Sequence, residues 1–102
     1  MTKNNFEISQ GVDHELVQTN FLNDLIIVLP AAGFRIELST PLFDIEAFSP
    51  AEIILNALTP DEFEVQIITP LANLITLVPS LVLEVFNPEG VRIIRIVAPP
   101  EE

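Results

Sequence analysis

Two stretches of the sequence follow the same pattern, 29 residues apart. Residues 34–45 and 63–74 both read Phe-x-Φ-x-Φ-x-Thr-Pro-Leu-x-x-Φ, where Φ is an aliphatic residue. A third, weaker copy at the same offset matches only at Ile94, Ile96 and Pro99. Internal periods of this length indicate repeated supersecondary units. The pattern fits either duplication of a 29-residue unit or the recurrence of similar strands in an aliphatic chain.

Nine prolines divide the chain into short apolar runs. The runs at 34–39 and 63–67 alternate apolar and polar residues, as strands with one buried face do. The runs are 24–29, 34–39, 42–48, 53–58, 63–69, 71–78, 81–86 and 91–97. We therefore predict an all-β domain, a sandwich or small barrel built from about three hairpins with proline in their turns. A short β-solenoid of 29-residue coils is the alternative.

The clearest hairpin turns at Asn87-Pro88-Glu89-Gly90. Asparagine and proline suit the first two positions of a type I turn, and glycine suits the fourth. Symmetric pairing about this turn would place Glu84 opposite Ile94 and diagonal to Arg92. We therefore expect a cross-strand ion pair between Glu84 and Arg92.

Segment 50–58 carries two conflicting signals. Ser49-Pro50-Ala51-Glu52 is a capping box with proline at the first helical position, and the apolar residues that follow have helical spacing. The 29-residue offset instead aligns this segment with the first strand of the hairpin at 81–97, and it places further turns at 29–34 and 59–63. We favour a strand at 53–58, with one short helix near 50–58 as the alternative.

The length of 102 residues is that of one domain. We expect a flexible N-terminal segment at 1–14, a single β domain at 15–98 and a C-terminal tail at 99–102. The runs at 24–29 and 91–97 are apolar on both faces of a strand, which indicates a central strand or one in an interface.

The charge balance excludes several partners. The chain has 15 acidic and 4 basic residues, a formal net charge of −11. Its scattered basic residues, Lys3, Arg35, Arg92 and Arg95, cannot form the patch that nucleic acids or anionic membranes require. The uncharged window 65–83 contains two prolines and has acidic flanks, so we predict no membrane-spanning helix. The lack of cysteine and of a signal-like amino terminus favours the cytoplasm.

Residues suited to catalysis or metal binding are few. His14 lies between two acidic residues, but no second histidine and no cysteine exists to complete a metal site. The carboxylate clusters are Asp44/Glu46 and Asp61/Glu62/Glu64. Neither cluster has the spacing of a calcium loop, so we interpret both as solvated faces and turns.

Phosphate-binding loops are also excluded, because the chain has only three glycines. The seven phenylalanines (6, 21, 34, 43, 48, 63 and 86) lie mostly at the spacing of strand cores, with one or two available for a binding face. The sequence therefore predicts no catalytic, cofactor-binding or metal-binding residue, and no enzyme.

About half of the residues, 49%, are hydrophobic, which is rich for a small monomer. We predict a non-enzymatic protein–protein interaction or structural assembly module, a homo-oligomer formed through apolar sheet faces or edges. One alternative is an acidic inhibitor or adaptor that covers a basic protein surface, for which binding would weaken steeply with salt. Another is a β domain that binds a small apolar ligand between its sheets.

Overall fold

The computed structural model describes residues 6–8, 16–19, 24–29 and 32–99. In this part of the chain there are ten strands and no helix. The strands are β1 (Glu7–Ile8), β2 (Val17–Thr19), β3 (Leu25–Leu29), β4 (Arg35–Ser39), β5 (Asp44–Phe48), β6 (Ala51–Thr59), β7 (Glu62–Ile68), β8 (Asn73–Val78), β9 (Leu81–Phe86) and β10 (Arg92–Ala98). They form two antiparallel sheets, which we call sheet A (order β1-β10-β9-β4-β5) and sheet B (order β2-β3-β6-β7-β8). The predicted all-β sandwich is confirmed.

The core lies between the two sheets and is built from alternate residues of nearly every strand. On β3 and β6 the burial pattern alternates, so that Ile27, Ile53 and Leu55 are fully buried while their neighbours are partly exposed. Phe63 is the largest side chain that is completely buried, and its ring lies 5.7 Å from that of Phe6. Among the described residues, no polar or charged side chain is buried. Apolar burial therefore dominates the stability of this sandwich.

Residues 51–58 belong to β6, so the predicted strand at 53–58 is confirmed and the helical alternative near 50–58 is wrong. β6 pairs with β3 on one side and with β7 on the other. This pairing buries Ile53 and Leu55, whereas a helix would have placed Ile54 and Leu55 on one face. The hydroxyl of Ser49, the expected helix cap, instead accepts a hydrogen bond from the backbone N–H of Phe34 at 3.0 Å. Tertiary pairing has overridden the local helix signal.

The pattern shared by 34–45 and 63–74 forms one kind of hairpin in two places. β4 joins β5, and β7 joins β8, through turns in which the threonine hydroxyl accepts two backbone N–H groups at 3.0–3.2 Å. In each turn the same hydroxyl also donates to the carbonyl three residues on. Threonine before proline therefore fixes both turns.

The strand that precedes this pattern has different pairing partners in the two copies. β6 forms a hairpin with β7, but β3 pairs with β6 in sheet B while β4 pairs with β9 in sheet A. The chain therefore passes from sheet B to sheet A between β3 and β4, and these two strands do not form the hairpin expected to turn at 29–34. Every strand pair of the described chain is antiparallel, so the solenoid alternative is wrong. Duplication of the whole 29-residue unit stays a prediction.

The hairpin at 87–90 forms as expected, with one irregularity. The N–H of Asn87 donates to the carbonyl of Val91, and the Asn87 side chain accepts two further backbone bonds. A β-bulge lies between Arg92 and Ile94, so Glu84 pairs with Arg95 rather than with Ile94 as predicted. Because the bulge shifts the register by one residue, both arginines lie on the same face as Glu84.

The domain extends beyond the expected limits. Phe6 is buried in the core and β1 pairs with β10, so residues 6–8 belong to the sandwich although a flexible segment was expected over 1–14. The rest of that segment, and residues 100–102 of the expected tail, lie outside the described residues.

Within the described ranges, no helix has the length and apolar character of a membrane span. The uncharged window at 65–83 forms most of β7, then β8 and the start of β9.

Candidate functional site

The outer face of sheet A carries the three arginines of the described chain. Arg35 lies 3.2 Å from Glu37 and 3.8 Å from Glu46, and its guanidinium lies over the ring of Phe86, 4.4 Å from its centroid. Arg92 lies 2.9 Å from Glu84, which confirms the predicted ion pair, and Arg95 lies 3.7 Å from the same carboxylate. The positive charges of this face are thus already paired, in an exposed setting where such pairs contribute little stability.

The carboxylates singled out in the sequence do not assemble into a site. Asp44 and Glu46 are exposed on the outer face of β5, and Asp61 and Glu62 are exposed near the turn before β7. Across the described ranges, no group of three or more histidine, cysteine or acidic residues is placed to hold a metal ion. His14 lies outside the described residues.

The phenylalanines divide between core and surface. Phe6 and Phe63 are buried, Phe34 and Phe43 pack against the core from its margin, and Phe21 lies outside the described residues. Phe48, at the end of β5, is 59% exposed.

The clearest surface feature is the free edge of β8. Most of its residues are exposed, and the strand contains no charged residue. The large exposed aliphatic side chains of β8 and of the turn before it are Leu71 (96% exposed), Leu74 (40%), Ile75 (56%) and Leu77 (47%). Edge strands of soluble proteins are usually shortened or charged because they can pair with other chains. The other long edge, β5, has Asp44 and Glu46, whereas β8 has no such protection.

The backbone of β8 presents hydrogen-bonding groups to the solvent at alternate positions. Thr69 and Ala72 exchange two backbone hydrogen bonds, at 2.8 and 3.4 Å, where the β7–β8 hairpin turns. Hydrogen-bonded and non-hydrogen-bonded pairs alternate along an antiparallel ladder. The register of β7 and β8 is regular, so Asn73, Ile75 and Leu77 fall in the non-hydrogen-bonded pairs. Their N–H and C=O groups therefore point away from β7, toward the free edge.

An apolar groove opens between the two sheets beside this edge. β5 and β8 are the last strands of their sheets, and side chains of both line a groove with a volume of about 560 Å³. Ile45 and Ala47 contribute from β5, Leu74 from β8, and Leu71 and Pro70 from the turn between β7 and β8. The two sheets do not close over each other here, which is why Leu74 is 40% exposed although it faces inward.

The outer face of sheet B differs in charge from that of sheet A. Ile26 and Ile54 pair directly across β3 and β6, and the row continues through Gln66 to Ile75. The charged residues on this face, Glu52 and Glu64 among them, are all acidic in the described chain. Sheet B thus has aliphatic rows bordered by carboxylates and without a cation.

The comparisons with known proteins give no further guide. No protein-family model matches the chain, and neither the curated proteins nor the solved structures contain a significant match. The edge of β8 and the groove were not identified from the sequence, because an edge is defined by strands that are distant in sequence. The local feature that pointed to this edge was the uncharged, largely aliphatic run at 71–78.

Proposed function

We propose that this chain is a non-enzymatic structural or assembly module that associates with itself through the apolar surface of sheet B. The observation that carries the proposal is the β8 edge, where Leu74, Ile75 and Leu77 are exposed on an uncharged strand and Leu71 is exposed in the turn before it. Burial of such side chains is favourable by roughly 25 cal/mol per Å² of apolar surface. Association through this edge would also pair the free backbone groups of β8.

The electrostatics of the chain support apolar rather than ionic association. At a net charge of −11, two copies repel each other, and no free cationic patch exists on the described surface to bind the acidic groups of a second copy. Contact is least opposed where charge is absent, and β8 is such a place. Salt screens the repulsion without weakening apolar burial.

Light scattering coupled to size-exclusion chromatography tests this proposal. We expect a mass of at least twice the 11.3 kDa of one chain, and an associated fraction that is unchanged or larger at high salt. A mass of 11.3 kDa at every salt and protein concentration tested would contradict self-association. Steep salt-dependent binding to a cationic protein would support the acidic inhibitor instead.

The groove supports a second candidate function, the binding of a small apolar ligand. Its volume of about 560 Å³ lies within the usual range of about 300–1,000 Å³ for ligand pockets, and its lining is mainly aliphatic. No charged residue lines it, so the ligand would be neutral and apolar.

A neutral fluorescent probe, N-phenyl-1-naphthylamine, tests the groove directly. We expect saturable binding that the A47F substitution weakens by about tenfold, because a larger side chain would fill the groove. The matched control is A32F, at an exposed turn position away from the groove. Equal binding by both variants, or none by the original chain, would overturn this candidate.

A further inference from the structure

The pairing partner of β8 can be specified from the strand itself. We propose that β8 pairs antiparallel with β8 of a second copy, about a twofold axis at Thr76, so that the two B sheets become one continuous sheet. This inference rests on the proposed self-association and names the surface and register through which it occurs.

The alternation of side chains between the two faces of a strand limits the possible registers. In a twofold antiparallel pair, residues that face each other must point to the same side of the sheet. In β8, Leu74, Thr76 and Val78 point toward the core side, because they pair with the inward residues of β7, while Ile75 and Leu77 point outward. Registers centred on Thr76 and on Ile75 both satisfy this condition.

The side chains of β8 are symmetric about Thr76. Centring the pair there sets Ile75 opposite Leu77 of the second copy on the outer face. On the inner face it sets Leu74 opposite Val78, and Thr76 opposite itself. Centring it on Ile75 would set Ile75 opposite itself, but it would oppose Asn73 with Leu77 and Leu74 with Thr76. Matched apolar and threonine pairs stabilise a sheet better than these mismatched pairs, so the chain favours the Thr76 register.

The backbone permits this register, as it also permits the one centred on Ile75, so the side chains decide between them. The N–H and C=O groups of Ile75 and Leu77 point to the free edge, so each would exchange two hydrogen bonds with its counterpart in the second copy. Thr76 would then form a non-hydrogen-bonded pair with itself, in which Cα atoms are about 4.5 Å apart.

Charge distinguishes β8 from the other long edge. A twofold pair of β5 centred on Ile45 would set Asp44 opposite Glu46, and one centred on Glu46 would set that residue opposite itself. Like charges directly opposite each other destabilise a sheet. In the β8 pair no charged residue of the strand faces another, which matters for a chain of net charge −11. A twofold pair through the middle of β5 therefore opposes like charges, whereas a twofold pair of β8 opposes none.

Cysteine cross-linking tests the register without interference, because the chain has no cysteine of its own. Under mild oxidation the T76C variant is expected to form a disulfide-linked dimer about tenfold faster than A47C, since the separation at Thr76 suits a disulfide. Ala47 is the matched control, being partly buried and inward-facing on the other long edge strand. I75C should cross-link more slowly than T76C, because its counterpart lies opposite Leu77.

Each outcome bears on the proposal. Fast cross-linking of I75C with slow cross-linking of T76C would overturn the Thr76 register in favour of the Ile75 register. Equal, slow cross-linking of T76C and A47C in a chain that light scattering shows to be associated would overturn edge pairing while self-association stands. A monomeric mass for the unmodified chain would overturn both.

Discussion

Replacing Phe63 with alanine is expected to lower the free energy of unfolding by about 3–5 kcal/mol. The Phe63 side chain is completely buried and its ring packs against that of Phe6 at an interplanar angle of 57°. Alanine would leave a cavity that the surrounding strands can fill only in part. Since a domain of this kind is stable by about 5–15 kcal/mol in total, the loss would be a large share of its stability.

Urea denaturation followed by far-UV circular dichroism measures this effect, because the chain has no tryptophan or tyrosine for fluorescence. The matched control is Phe48→Ala, which removes the same group from a position that is 59% exposed. We expect that control to change the unfolding free energy by about 0.5 kcal/mol or less. An equal decrease in the free energy of unfolding for the two variants would contradict the burial of Phe63 in the core.

Introducing lysine at both Ile75 and Leu77 is expected to raise the dissociation constant of the self-associated chain by about a hundredfold or more. In the proposed contact, Ile75 of one copy lies opposite Leu77 of the other. The substitution therefore places two ammonium groups opposite each other where two apolar side chains had been in contact. Like charges in such pairs are destabilising, and isolated buried charges are costly. Sedimentation velocity or light scattering over a concentration series measures the change.

The control for this variant carries lysine at Leu42 and Val91, which are exposed on turns distant from β8 in sequence and outside the groove lining. Both double variants add two positive charges to an acidic chain, so both reduce the general repulsion between copies. Dissociation of the β8 variant alone would therefore reflect the contact surface. If both variants stay associated to the same extent, β8 is not the contact.

Features that depend on neighbouring residues were predictable from the sequence. The turn at 87–90 and the ion pair of Glu84 with Arg92 follow from turn chemistry and strand alternation. The strand at 53–58 was instead predicted from the 29-residue offset that aligns it with the hairpin at 81–97. The helix signal at Ser49 was misleading because β3 and β7 pair with this segment on both sides. A local preference of about 1 kcal/mol is small beside the burial of several aliphatic side chains.

Features that depend on distant residues were not predictable. The crossover after β3 exists because β3 pairs with β6 and β4 pairs with β9, and neither partner is adjacent in sequence. The bulge at Ile93 changes register within a run that reads as a regular strand. For the same reason the sequence showed that the run at 71–78 was aliphatic, but not that it formed the margin of a sheet.

The carboxylates of β5 have a consequence for how far assembly can proceed. A chain with two edge strands able to pair with other copies could add copies without limit and form a fibre. If pairing uses the same edge strand in both copies, the dimer has no such strand left to bind a third copy. The other long edge strand, β5, carries Asp44 and Glu46, and these charges oppose its pairing with a further copy. In the proposed β8 pair, the two edges together would limit assembly to a closed dimer, and neutralising those two acids would remove that limit.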